Sequence, residues 1–215
     1  DFTVENVTFW NSLVDFSIAI SATGHAANVT IENTRVQWWR CTFYGQSNVT
    51  VTNSTLLCLD AFGSSTMSVS NSTIDDIYSF DLSSVSISNS TIRWANPSDY
   101  STMTIFNTTC NVWPEDFSIV KLINADCIVY RGLYSNASIY YCWYLNVHVV
   151  DSLGSDVPNA EVTAQYSNGT IAQKGTTNIN GEVRLILAEK VWNDTGKCYF
   201  GNYTVEAGYW SYSDT

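Results

Sequence analysis

The chain has 215 residues, 45% of them apolar and only 13% charged, with a formal charge of −11 from 20 acids against 9 bases. That balance disfavours nucleic acid or an anionic membrane surface as a partner, and the Ser/Thr/Asn-rich remainder describes an ordered β protein. No apolar run approaches the roughly 20 residues of a transmembrane helix, so no direct membrane insertion is expected in this segment.

Taken in order, the chain opens on FTVENVTF (residues 2–9), followed by a loop from Asn11 to Ala27 that is expected to bulge out. The same phrase returns as VTIENTRV (29–36), VTVTNSTL (49–56), MSVSNSTI (67–74), VSISNSTI (85–92) and MTIFNTTC (103–110), and again in KLINADC (121–127). Asn53, Asn71, Asn89 and Asn107 are spaced by 18 residues, with Asn6, Asn33 and Asn124 in line with them. A fixed period with alternating apolar residues predicts a solenoid. Eighteen residues at about 3.3 Å each make a circuit of roughly 60 Å, which predicts three short strands per coil and about seven coils. Alternation puts Val49, Val51 and Asn53 on one side. An interior column is therefore expected from Val29/Ile31 to Met103/Ile105, continued after each corner by Val36, Leu56, Ile74, Ile92 and Cys110, with the asparagines turned inward.

The pattern V-x-I-x-N-x-x-I over residues 2–127 resembles the right-handed parallel β-helix of the pectate-lyase-like superfamily, including repeat-bearing surface proteins of archaea. A left-handed hexad helix is the alternative, although its small residue at every sixth place is not evident. The resemblance implies an architecture, whereas members range from lyases to structural shafts.

Eleven N-x-S/T sequons predict an exported, N-glycosylated protein at the cell surface. If the corner asparagines point inward, glycans belong on Asn28 and Asn48, which precede inward valines, and on Asn136, Asn168, Asn193 and Asn202. Six cysteines without a C-x-x-C pair, and two distant histidines (His25, His148), point away from metal and cofactor sites and towards disulfides. Cys110 and Cys127 lie three residues past equivalent asparagines, one coil apart. They are expected to pair, with Cys41 joined to Cys58 and Cys142 to Cys198.

After residue 142 the repeat stops, and NVHVVD, VPNAEVTAQY, SNGT, GEVRLIL and NYTVEAGYW predict a small antiparallel β-sandwich over 143–215. The arrangement V-x-V-V-D-x-x-G-x-x-V-P-N-A-x-V, with a later T-x-x-N-G-E-V, resembles carboxypeptidase-regulatory-like and transthyretin-like Ig-type modules. Asn159-Ala160 stands where such modules more often have Gly-Ala. The resemblance implies a spacer or interaction module. The whole is expected to be all-β, a β-helix over 1–142 followed by the sandwich, and part of a larger exported protein with its signal and any anchor elsewhere.

For chemistry, Asp81 and Asp99 are the one plausible calcium pair, with Asp75, Asp76 and Arg93 nearby. Trp38-Trp39, Phe43-Tyr44, Trp94 and Tyr140–Tyr144 are candidates for stacking on sugars or for burial. Serine or cysteine catalysis lacks a histidine partner. The expected function is a non-catalytic subunit or stalk segment of an extracellular glycoprotein assembly, such as a surface layer, filament or pilus-like thread. Its partners would be copies of itself or other surface subunits. The alternative is a carbohydrate-binding adhesin, or a polysaccharide lyase or hydrolase, on the same fold.

Overall fold

The computed structural model describes residues 6–14, 18–22, 27–130 and 136–208, with only the backbone at 6, 14, 18–22 and 37–39. Every regular element among the described residues is a β-strand. They divide into two compact units, Asp1–Tyr140 with Trp192–Gly196, and Tyr141–Val191 with Lys197–Thr215.

The first unit is a parallel β-solenoid of about six turns. One sheet stacks Asn6–Trp10, Asn28–Glu32, Asn48–Thr52, Thr66–Ser70, Ser84–Ser88, Thr102–Phe106 and Ile119–Ile123 in sequence order. Each residue lies beside its repeat equivalent, as in Val49↔Met67 and Ile87↔Ile105. The other sheet stacks the longer strands, among them Arg35–Gly45, Thr55–Ala61, Thr73–Ser79 and Thr91–Pro97. Each coil thus has two strands, not three. The circuit still closes because the longer strand carries an unpaired residue at Leu57, Asp75 and Arg93, where the register skips from Leu56↔Ile74 to Cys58↔Asp76. The bend at these residues performs the work of a third corner.

The interior column is as the alternation predicts. Val29, Ile31, Val49, Val51, Met67, Val69, Val85, Ile87, Met103 and Ile105 are buried, as are Val36, Leu56, Ile74, Ile92 and Cys110. At about 1.5–3 kcal/mol for each buried aliphatic side chain, this column is the main source of stability.

The asparagines, however, do not point inward. Asn33, Asn53, Asn71, Asn89, Asn107 and Asn124 are exposed, and each has a left-handed backbone with φ between 44° and 50°. The left-handed residue breaks the alternation and sends the next side chain inside instead. Thr34, Ser54, Ser72, Ser90 and Thr108 are accordingly buried. The Ser72 hydroxyl donates to the Ser70 carbonyl at 2.7 Å and accepts the Ser54 amide at 3.1 Å, and Ser54 and Ser90 repeat the pattern. The asparagine amides form a partial ladder outside, with Asn124 donating to Asn107 and Asn107 to Asn89.

The first coil is also phased differently from the phrase FTVENVTF. Asn6 is a strand residue beside Asn28, and Asn11, with φ 48°, is the corner. Part of the expected loop is strand, since Leu13–Val14 and Ile18–Ala22 pair with Arg35–Gly45.

The second unit is a small antiparallel sandwich. Glu161–Gln165 lies between Ile171–Thr176 and Thr204–Gly208. Its Val162 and Ala164 pack with Leu185 into a core flanked by Leu145, Val147, Val149, Val183 and Leu187. A Cβ at Gly175 would meet Val183 at 2.7 Å, so a glycine is needed for this approach. Asn159 is left-handed with φ 61°, a conformation that asparagine tolerates at the place glycine would otherwise take.

Candidate functional site

A second left-handed column stands at the other corner of the solenoid, formed by Gly45, Gly63, Asp81, Asp99 and Asp116. The carboxylates of this column serve the backbone. Asp81 accepts the Gly63 amide at 2.9 Å, Asp99 accepts the Asp81 amide at 3.1 Å, and Asp116 accepts both the Ser98 hydroxyl and the Asp99 amide. The pair Asp81/Asp99 is therefore a corner brace, and no group of three or more metal-ligating side chains occurs among the described residues.

The most reactive-looking cluster is on the outer face of the longer strands. Asp60, buried, takes Arg40 at 2.9 and 3.0 Å, Thr42 at 3.1 Å and the Cys58 thiol at 3.4 Å. Burial, and then the negative charge of Asp60, push the Cys58 thiol up to about 12. It is protonated at neutral pH and a poor nucleophile. Arg40 also lies over the Tyr78 ring, 5.0 Å from its centroid. Nearby, Asp75 pairs with Arg93 at 3.3 Å in a shallow depression of about 420 Å³ beside Leu57. Burial, and then Asp75, raise the Asp76 carboxyl above its ordinary range.

The aromatic residues are organised by the coil period. Tyr44, Phe62 and Phe80 stack at 5.0 and 4.6 Å, one ring per coil. Tyr78 lies beside Phe80, its ring parallel to within 2°. Further along, Trp113 stacks on Tyr130 at 6.2 Å, and Trp94 packs against both. Phe43 is in the core while Tyr44 is exposed, the alternation expected of that pair. Trp143 is exposed and donates to Glu189 at 2.7 Å. The Trp38 and Trp39 side chains, and His25, are outside the described residues.

Cys110 and Cys127 form the expected disulfide, with Cα atoms 4.7 Å apart on adjacent coils. The other two pairings are not made. Cys41 stands beside Leu59 inside the solenoid, whereas Cys58 stands beside Arg40 on the outer face, so the two thiols point to opposite sides of one sheet. Between the strands of Cys142 and Cys198 runs Glu182–Asn193, which puts them two strand spacings apart, about 9.6 Å, beyond disulfide reach.

Of the glycan acceptors, Asn28 and Asn48 face outward and are bonded to each other at 3.2 Å, with the Asn48 oxygen also accepting from Thr66. Asn136, Asn168 and Asn202 are exposed. Asn193 is half-buried, and its side-chain oxygen accepts both the amide and the hydroxyl of Thr195. Because the corner asparagines are exposed too, burial does not separate the two sets of sequons. Each N-S-T phrase has a conformational reason: asparagine for the left-handed corner, serine for the inward hydroxyl, threonine for the outward start of a strand.

The class this geometry defines is a parallel β-solenoid joined in sequence to a small antiparallel β-sandwich. Compared with protein families, with curated proteins and with solved structures, the chain has no match in any of the three.

Proposed function

We propose that the chain is a non-catalytic structural segment of an extracellular glycoprotein assembly, in which the solenoid is a stiff shaft and the sandwich a spacer or contact module. The observation that carries this reading is the employment of the solenoid's chemically capable groups in its own frame. The corner carboxylates hold backbone amides, and the Asp60 cluster is closed on itself with a protonated thiol. A fold that spends its polar groups on repeat-to-repeat bonds gains stiffness along its axis.

The finer reading, a surface layer, filament or pilus-like thread decorated with N-linked glycans and built from copies of this chain or from other surface subunits, rests on the sequons, the disulfide and the likeness to archaeal β-helix surface proteins. Electron microscopy of the native material tests it. A regular lattice or filament containing the chain is expected, and a monodisperse monomer over a wide concentration range overturns it.

A further inference from the structure

One coil interrupts the aromatic ladder. Tyr44, Phe62 and Phe80 supply a ring each, but the next position is Ser98, and the position above Tyr78 is Asn96. Above that coil the large side chains return as Trp113 and Glu115, whose amides bond to the coil of Asn96 through Ala95 and Pro97. The missing rung leaves an open cleft of about 300 Å³.

Both walls carry aromatic rings. The stack below ends at Phe80, with Tyr78 beside it and parallel to within 2°, so the two rings make one platform. Trp113 stacks on Tyr130, meets Trp94 edge-on and lines the cleft from above. Two coil spacings, about 9.6 Å, separate the walls, which is room for one flat group. The polar groups between them are chiefly acceptors. Glu115 uses one carboxylate oxygen on the Trp113 indole N–H at 3.1 Å, and the Ser98 hydroxyl donates its hydrogen bond to Asp116, leaving its oxygen as an acceptor. Among the described residues the Asn96 side-chain amide has no hydrogen-bond partner.

The other face of Tyr78 shows what such a setting takes. There Arg40 lies over the ring at 5.0 Å while its guanidinium is held by the Asp60 carboxylate at 2.9 and 3.0 Å. The same elements, a ring face and a carboxylate, recur in the cleft above, with no cation among the described residues that line it. A guanidinium is flat, stacks on rings, and carries five donors and no acceptor. A sugar or an aromatic side chain would leave the carboxylate charge unmatched.

We propose that the cleft formed by Tyr78, Phe80, Asn96, Ser98, Trp113 and Glu115 is a docking slot for an arginine side chain of another protein. Its carrier is assigned to another protein because this chain, with 20 acids against 9 bases, repels its own copies, and three of its five arginines, Arg40, Arg93 and Arg184, are already engaged by Asp60, Asp75 and Asn146. The slot goes beyond the assembly reading and does not depend on it.

The test follows the Trp113 indole N–H resonance of the full chain during titration with N-acetyl-arginine amide. Saturable shifts are expected, at least tenfold weaker with the isosteric, uncharged citrulline derivative and in Glu115→Gln. In Asn96→Tyr, which supplies the missing rung, they are expected to be lost while the remaining spectrum stays in place. The proposal is overturned if no saturation is seen, if citrulline binds as well as arginine, or if a methyl pyranoside binds more tightly. Sedimentation equilibrium of wild type and Glu115→Gln completes the test, because dissociation of a self-assembly by that variant would make a second copy the occupant and overturn the assignment.

Discussion

The two corners of the solenoid solve the same problem with different chemistry. At one, an exposed left-handed asparagine is followed by a buried Ser or Thr whose hydroxyl is bonded on both sides, to its own coil and to the amide of the coil before. At the other, a left-handed Gly or Asp leads into a buried serine column, and there the hydroxyls of Ser65, Ser83 and Ser118 have no partner among the described residues. The bracing at this second corner has moved outside, to the carboxylates of Asp81, Asp99 and Asp116. Two serine columns of similar burial therefore differ in what they contribute: the first bonds coil to coil at every repeat, whereas in the second Ser47 and Ser101 are bonded and Ser65, Ser83 and Ser118 fill space.

Substitutions at both corners should separate these roles, and urea denaturation midpoints measure them. The largest loss is expected for Ser72→Ala, which leaves the buried Ser54 amide without an acceptor, at about 1–3 kcal/mol. Next comes Asn71→Ala, which forces a Cβ-bearing residue into the left-handed region for about 1–2 kcal/mol. Asn71→Gly should recover most of that. In the other column Ser83→Ala should reverse the sign, with a gain of up to about 1 kcal/mol, because it removes a buried hydroxyl with no partner. A loss there as large as that of Ser72→Ala would erase the distinction between the corners. The smallest effect, within about 0.5 kcal/mol, is expected for Asp99→Asn, since asparagine keeps both the left-handed conformation and an acceptor for the Asp81 amide.

Much of the solenoid is legible in the sequence because its signal is repeated. Five strands of the first sheet show the same inward pairs, and an error in one would be visible against the others. The Cys110–Cys127 bridge is legible for the same reason, since equal offsets from successive asparagines become neighbours in the stack. Legibility fails where alternation is broken. A strand period carried through Asn53 puts it inside, but the positive φ at that residue rotates the chain and places Ser54 there instead. The signal was present in the constant Ser or Thr after each asparagine, which an inward hydroxyl explains and an outward one does not. Cys41 and Cys58 fail because the two extra residues between Val36 and Arg40 bring Cys41 level with Leu59 and leave Cys58 level with Arg40, one residue out of step.

The aromatic cleft was the least visible feature. Tyr78, Phe80, Asn96, Ser98, Trp113 and Glu115 come from three coils, and no short motif joins them. Their relation is a vertical one, read across coils at a spacing of 17 or 18 residues, and what defines the cleft is the absence of a ring at two positions in that column.

By itself the sequence determined the period and the aliphatic interior, because these depend on side-chain alternation and solvent exclusion, which are local or repeated properties. Only the tertiary structure decided which face the asparagines take, which cysteines meet and where the rings stop. These depend on single backbone rotations and on what the neighbouring coil places at the same height, and neither is contained in any one stretch of chain.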